Sequence, residues 1–223
     1  MNKKILATSN YNTIQNLCDY TRSNTKMIAI IGYTGAGKTT AFEEYLENNE
    51  DVYYMVIKTS MTMKEFYSSL LNTLGIEGRV MGSTLHSLIN QASHKLNYGG
   101  TKKLLIFDEA GKSKPKFFEY LHELRDNTKD TTGIIIAGPE YFHEYMKKWK
   151  TRGIPGIPEF YRRINHWEFL SEPTKEEIRG FGEYYNVTSE EAIQEMINSC
   201  KNFSEIMDYI EAYHQQKRKK VNK

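Results

Sequence analysis

The sequence predicts an α/β fold: a parallel sheet flanked by helices, with a small all-helical lid behind it. Three observations predict this. Short apolar, β-branched runs alternate with amphipathic helical stretches through the first three quarters of the chain, the pattern of strand–helix–strand crossovers. The run "MIAIIG" (27–32) ends in a glycine-rich turn, "GYTGAGKTT" (32–40), whose spacing Gly32-x4-Gly37-Lys38-Thr39 is that of a phosphate-binding P-loop. After Ser171 the strand signals stop, and three helical stretches follow one another.

Taken in order, "MIAIIG" reads as a buried strand feeding the P-loop. "KTTAFEEYLENN" follows as a helix with Phe42, Tyr45 and Leu46 at helical spacing. "DVYYMVIKTS" is a second strand, in which Tyr53 and Tyr54 read as strand packing. "TMKEFYSSLLNTLGI" is an amphipathic helix with Thr62 as N-cap, an apolar face of Phe66, Leu70, Leu71 and Leu74, and Gly75 as its stop. "STLHSLINQASHKLNYGG" is a helix with Ser83 as candidate cap. "KKLLIFDEA" is a third strand, apolar throughout and therefore expected to be buried on both faces. "PKFFEYLHELRDNT" opens with Pro115, favoured in a first helical turn. "TGIIIAG" is a fourth strand ended by Gly138-Pro139, and "INHWEFL" a weaker fifth. Behind them, "EPTKEEIRGFGEYY", "TSEEAIQEMINSC" and "NFSEIMDYIEAYHQQ" predict three helices, with Thr174 and Ser189 as caps each followed by glutamates. The organisation expected is a nucleotide-binding core over 1–170, a helical lid over 171–216 and a basic tail over 217–223.

The chain has 223 residues and a hydrophobic fraction of 39 %, enough to bury a core. A mean hydropathy of −0.63 and the lack of a long apolar run argue against a membrane span. No stretch of signal-peptide length is seen, and Cys18 and Cys200 lack metal or redox spacing, so a cytoplasmic protein with reduced thiols is expected. His86 and His94 share a helix but do not form a metal-ligand pattern. The formal net charge of +2 hides an uneven distribution. Lys217, Arg218, Lys219, Lys220 and Lys223 crowd the C-terminus, "GKSKPK" (111–116) and "KKWKTRG" (147–153) are basic, and 172–195 is acidic. Such local basic patches suit a polyanion such as DNA.

The motifs carry specific chemistry. The P-loop glycines let backbone N–H groups point at phosphate, helped by the positive end of the following helix. Gly32, Thr34, Gly35, Ala36, Gly37, Lys38, Thr39 and Thr40 are the candidate ATP-binding residues. Lys38 reaches the β- and γ-phosphates, and the Thr39 hydroxyl ligates Mg²⁺. At the end of the third strand, Asp108 can hold the Mg²⁺ shell and Glu109 can polarise the attacking water. The tandem Asp-Glu separates hydrolases from small-molecule kinases, which need no water-activating glutamate there.

With these residues in place, the sequence resembles the AAA+ ATPases. "GYTGAGKTT", "LLIFDEA", "IIIAGPEYF" and "EFYRRI" followed by a helical lid keep that family's motif order over residues 5 to 215. More narrowly it is similar to the transposon target-selection branch of the phage Mu B and TnsC type, in its size, in the helix directly after "DEA" and in the "AGPEYF" turn. The resemblance implies sequence-tolerant binding of duplex DNA in the ATP state, self-assembly into a ring or helical filament, and recruitment of a transposase. It also implies an arginine supplied in trans to a neighbouring subunit's site, here Arg163, with Arg162 as second candidate. DNA contacts are then sought at Lys58 and Lys64, near the second strand, and at Lys112, Lys114 and Lys116, after the third.

Two departures from the family pattern stand out. Where a polar sensor residue is usual after the fourth strand, this chain reads Ala137-Gly138-Pro139, leaving Glu140 as substitute. Where the lid usually carries a phosphate-sensing arginine, it offers Ser204 and Glu205. Both imply slow hydrolysis, with ATP acting as an assembly switch. A helicase-loader-like or secretion-associated ATPase, and a nucleotide-switched protein scaffold, remain the alternative readings.

Overall fold

A computed structural model describes residues 6–76 and 82–221. Five parallel strands form one sheet in the order β2-β3-β4-β1-β5. These are β1 (Met27–Ile31), β2 (Val52–Val56), β3 (Lys103–Asp108), β4 (Thr132–Gly138) and β5 (His166–Phe169). The strand β1 lies between β4 and β5, so β4 separates it from β3.

The apolar runs of β1, β3 and β4 are buried at every position, as expected for strands covered on both faces. Alternate residues point to opposite layers. Met27, Ala29, Ile31, Leu105, Phe107, Ile134 and Ile136 meet one layer, made by α3 (Met63–Thr73), α4 (Leu85–Asn97), α5 (Pro115–Thr128), α6 (Glu140–Thr151) and α7 (Ile157–Arg163). Ile28, Ile30, Leu104, Ile106, Ile135 and Ala137 meet the other, made by α1 (Ser9–Ser23) and α2 (Lys38–Asn48). The edge strand β5 pairs only with β1 and leaves Phe169 53 % exposed, which explains its weaker signal. α8 (Lys175–Tyr184), α9 (Glu190–Ser199) and α10 (Phe203–Val221) have their own apolar cluster, centred on Met196 and Ile206.

Local chemistry sets most boundaries. Thr62 and Thr174 each close a capping box, with Glu65 and Glu177 returning a bond to the cap backbone. Pro115 occupies the first turn of α5, and Ser189 caps α9. Three details differ from expectation. The cap of α4 is Thr84, whose hydroxyl accepts from the Ser87 N–H, rather than Ser83. Leu46 is exposed, because Ala41, Phe42 and Tyr45 supply the buried face of α2. The basic run from 217 to 221 continues α10 instead of forming a separate tail, with Lys217 bonded to the Thr188 hydroxyl at 2.8 Å. Residues 1–5 and 222–223, Lys223 among them, lie outside the described residues.

α1, α6 and α7 were not read from the sequence. α1 is polar, and its buried positions are Asn10, Ile14, Cys18 and Thr21, two of them polar. Its C-terminal end lies so close to β4 that a Cβ on Gly133 would collide with the Thr21 carbonyl. Both cysteines are free and buried. No helix among the described residues is long and apolar enough to cross a membrane.

Candidate nucleotide-binding site

The site is built where β1 ends. The Gly32 N–H donates to the Gly138 carbonyl of the neighbouring strand at 3.1 Å, and the chain then loops to Lys38, the first residue of α2. Gly35 and Gly37 sit at φ +86° and +84°, in the left-handed region that glycine enters without steric cost. Gly37 occupies the N-cap without a side-chain bond, so the first turn of α2 keeps backbone donors directed at the loop. The Lys38 ammonium folds onto the loop, donating to the Gly32 carbonyl at 2.6 Å and the Tyr33 carbonyl at 3.0 Å. Burial pulls its pKa down, while Asp108, Glu109 and Glu140 pull it back up.

The acidic end of β3 meets this loop. Asp108 is 1 % exposed. One carboxylate oxygen, Oδ2, accepts from the Thr39 hydroxyl at 3.0 Å and from the Tyr54 hydroxyl at 3.0 Å, and Oδ1 accepts from the Glu109 N–H at 2.7 Å. Thr39 and Asp108 are 69 positions apart in sequence. Tyr54 was read as strand packing and is a polar member of the site: β2 pairs with β3 in register Tyr54↔Ile106, which sets its hydroxyl against the end of the next strand. Burial, followed by the Asp108 charge and hydrogen bond, keeps this phenol well above its usual pKa. Glu109 adopts φ +61°, an uncommon conformation for a non-glycine residue, and its carboxylate pairs with the Lys112 ammonium at 3.3 Å.

A cleft of about 600 Å³ opens over these groups. Its floor is the loop from Thr34 to Ala41 with Asp108 and Glu109, and the lid supplies its roof. The Phe203 N–H donates to the Gly35 carbonyl at 3.1 Å, and a Cβ on Gly35 would lie 2.7 Å from Asn202 Oδ1 and 2.9 Å from Ser204 Oγ. Leu6, Tyr11, Phe181 and Tyr185 add an apolar, aromatic end. Asn10 ties the parts together, its amide donating to the Ala36 carbonyl at 3.3 Å and the Ser171 carbonyl at 2.9 Å. Tyr33 also donates to Ser171, and burial with nearby glutamates pushes its phenol up to about 12.

The sensor candidates separate. Ser204 lines the cleft, whereas Glu205 turns back to accept the Lys201 N–H at 2.7 Å. Gly138, Pro139 and Tyr141 line the cleft beyond β4, and Glu140 does not. Asn10 and Tyr54 had no motif to announce them, since each reaches the site only through tertiary contact, and Tyr141, inside the "AGPEYF" turn, was not read as a site residue.

Arg162 and Arg163 are not brought to this cleft. They end α7, just before Asn165 bonds Met27 at the start of β1, the opposite end of that strand from the P-loop. Arg163 makes a two-point bond to Asp126 of α5 at 2.8 and 2.9 Å, and this pair holds the Asp126 carboxyl below its usual range. Arg162 is exposed and makes no ion pair among the described residues. Lys58, Lys64, Lys112, Lys114 and Lys116 are all exposed. They follow β2 and β3, neighbours in the sheet, so they share one edge on the P-loop side. No cluster of three metal-ligating His, Cys, Asp or Glu side chains occurs among the described residues. Thr39 and Asp108 fit a Mg²⁺ that takes its other ligands from phosphate and water.

None of the curated proteins compared matches this chain. The fold matches solved structures at low identity. The ORC1 protein of Aeropyrum pernix in complex with DNA aligns with a TM-score of 0.67 at 11 % identity, over 96 % of this chain and 62 % of that one. The Walker-type ATPase PABY2304 of Pyrococcus abyssi gives 0.62 at 13 %, over 94 % and 73 %. The ORC2 protein of Aeropyrum pernix, in ADPNP–ADP complexes, gives 0.61 at 15 %, over 78 % and 50 %. This chain thus spans about half to three fifths of the two ORC proteins. The AAA domain family model matches residues 21–146, from the end of α1 into α6 and across both motifs of the cleft. That match covers more than half of the chain, which therefore belongs to the AAA domain family.

Proposed function

We propose that this AAA+ chain binds ATP with Mg²⁺ in the cleft, hydrolyses it, and uses the ATP state to assemble on duplex DNA. The observation that carries the nucleotide chemistry is the Thr39–Asp108 bond, which closes the P-loop onto the acidic end of β3. In this reading the loop from Gly32 to Thr40 cradles the phosphates with backbone N–H groups. Lys38 exchanges its two carbonyl partners for phosphate oxygens. Thr39 would hold the cation through its hydroxyl oxygen while still donating to Asp108. Mg²⁺ would supply charge neutralisation at the β- and γ-phosphates. Glu109 orients the water once its carboxylate leaves Lys112. Arg163, or Arg162, serves the site of an adjacent copy, because neither can reach its own.

Duplex DNA is the polyanion proposed for the lysine edge of Lys58, Lys64, Lys112, Lys114 and Lys116. The A. pernix ORC1 protein, of the same fold, is a structure with DNA and supports this partner. Recruitment of a transposase by a ring or filament is the narrowest form of the proposal and rests on the motif resemblance alone. A loader-type ATPase or a protein scaffold would use the same cleft without the lysine edge.

The test is Lys38→Ala, measured with a fluorescent ATP analogue and then by anisotropy on a labelled duplex. Loss of nucleotide affinity and of ATP-dependent duplex binding is expected. For the wild type, log K should fall against log salt by about 0.9 for each phosphate contacted. Unchanged nucleotide affinity would remove the cleft assignment, and ATP-dependent assembly without DNA would favour the scaffold.

A further inference from the structure

The outer face of α6 carries an aromatic and basic stripe that the nucleotide cleft does not use. Steps of four and three residues place Tyr141, Tyr145 and Lys148 on one side of this helix, and Arg152, four residues on, caps its C-terminal end. Phe142 and Met146, on another face, are buried and anchor the helix to the sheet layer. Tyr141 is 46 % exposed and Tyr145 43 %, with ring centroids 5.4 Å apart, and Trp149 lies 5.8 Å beyond Tyr145. Lys148 and Arg152 are exposed and make no ion pair among the described residues. The nearby acid Glu144 is already neutralised by Lys147 at 3.0 Å. The stripe runs on into the turn after β3, because Gly111 packs directly under the Tyr141 ring, with Lys112 next in sequence.

We infer that this stripe is a binding tract for single-stranded nucleic acid, a refinement that rests on the nucleic-acid partner proposed above. Exposed rings alone would suit a protein partner equally well. Here the cations Lys148 and Arg152, unpaired among the described residues, continue the stripe at one end, and Lys112, paired with Glu109, follows Gly111 near the other, whereas the centres of protein interfaces are depleted of charge. A duplex hides the faces of its bases, so only an unpaired strand can stack on Tyr141 and Tyr145 while its phosphates meet Lys112, Lys148 and Arg152. Recognition by stacking and charge tolerates sequence, since every base offers a π-face. Because Tyr141 also lines the nucleotide cleft, strand and nucleotide meet at the same residue.

The experiment is fluorescence anisotropy of the full chain with a labelled oligothymidine and, separately, a labelled duplex of equal length. Tyr145→Ala, outside the cleft, should weaken oligothymidine binding roughly tenfold, the effect of losing one stacking ring. Tyr145→Phe should retain it, and Tyr141→Ala/Tyr145→Ala should lose more. Duplex binding by Tyr145→Ala should be nearly unchanged. Oligothymidine binding equal to wild type in a folded Tyr145→Ala protein would overturn the inference. So would equal losses on strand and duplex, or a Tyr145→Ala effect confined to self-association seen by light scattering. A wild type that binds duplex but not oligothymidine refutes this tract alone, whereas one that binds neither refutes the DNA partner proposed for the chain.

Discussion

Removing the Tyr54 hydroxyl tests how the acidic end of β3 is held. In Tyr54→Phe the ring keeps its place beside Phe42, but Asp108 Oδ2 loses one of its two donors. Asp108 is almost fully buried, so water replaces the missing donor poorly. A hydrogen bond to a charged group contributes about 1.5–3 kcal/mol. Tyr54 is only half-buried and Thr39 still serves the same oxygen, so about 1–2 kcal/mol is the expected loss of stability. For a chain of this size that lowers Tm by roughly 2–8 °C. The larger consequence concerns the cation. Partners behind a metal ligand typically alter affinity by about 10–100-fold, and Tyr54 would be such a partner if Asp108 holds the cation as proposed. Titrating Mg²⁺ against binding of a fluorescent ATP analogue should show a half-saturation point raised at least about tenfold. Affinity for the nucleotide in EDTA should stay close to wild type, since Lys38 and the loop are untouched. An unshifted Mg²⁺ titration in a folded Tyr54→Phe protein would refute a role for Tyr54 in holding Asp108 for the cation.

Three further outcomes follow from the same geometry. Glu109→Gln keeps size and hydrogen bonding but removes the water-orienting charge, so hydrolysis should stall while ATP binds; single-molecule dwell times on DNA should lengthen, and faster release than wild type would contradict ATP as the assembly switch. Arg163→Ala should change stability by no more than about 1 kcal/mol, because the Asp126 pair is exposed. It should nevertheless lower DNA-stimulated hydrolysis by about 10³–10⁵-fold, with partial recovery on mixing with Lys38→Ala, and the absence of recovery would argue against a shared site. Gly35→Ala forces a left-handed alanine, costing about 1–2 kcal/mol, and drives its Cβ against Asn202 and Ser204; ATP affinity should drop about tenfold or more, and wild-type affinity would show that the lid contact at Gly35 is dispensable.

The parts of this molecule that were legible in the sequence are those in which one local signal decides the outcome. β1, β3 and β4 are apolar at nearly every position because both faces are covered, and Thr62, Thr174 and Ser189 cap helices whose periodicity is plain. Lys38, Thr39, Asp108 and Glu109 announced themselves by spacing, and the structure brings them together. What escaped was set by tertiary contact. α1 buries a polar Asn10 that serves two carbonyls from distant segments, so its pattern does not look amphipathic. Tyr54 resembles any strand tyrosine until β3 is placed beside it. The arginines at the end of α7 were found by motif order, yet the partner of Arg163 within the chain, Asp126, depends on how α5 and α7 pack.

The position of β1 also bears on how the chain can be made. β1 pairs only with β4 and β5, whose residues lie about a hundred positions or more downstream. While a ribosome is still adding residues before 132, the MIAII run has no strand beside it and remains an adhesive apolar segment. β2 and β3 can zip together first, because both come earlier, and β3 then waits for β4 on its other side. The P-loop is therefore spelled out early and shaped late: Gly32 finds its backbone acceptor only when Gly138 has emerged. Fragments that stop short of β4 carry every residue of the two motifs and yet lack the cleft, and long-range closure of this kind makes for slow folding.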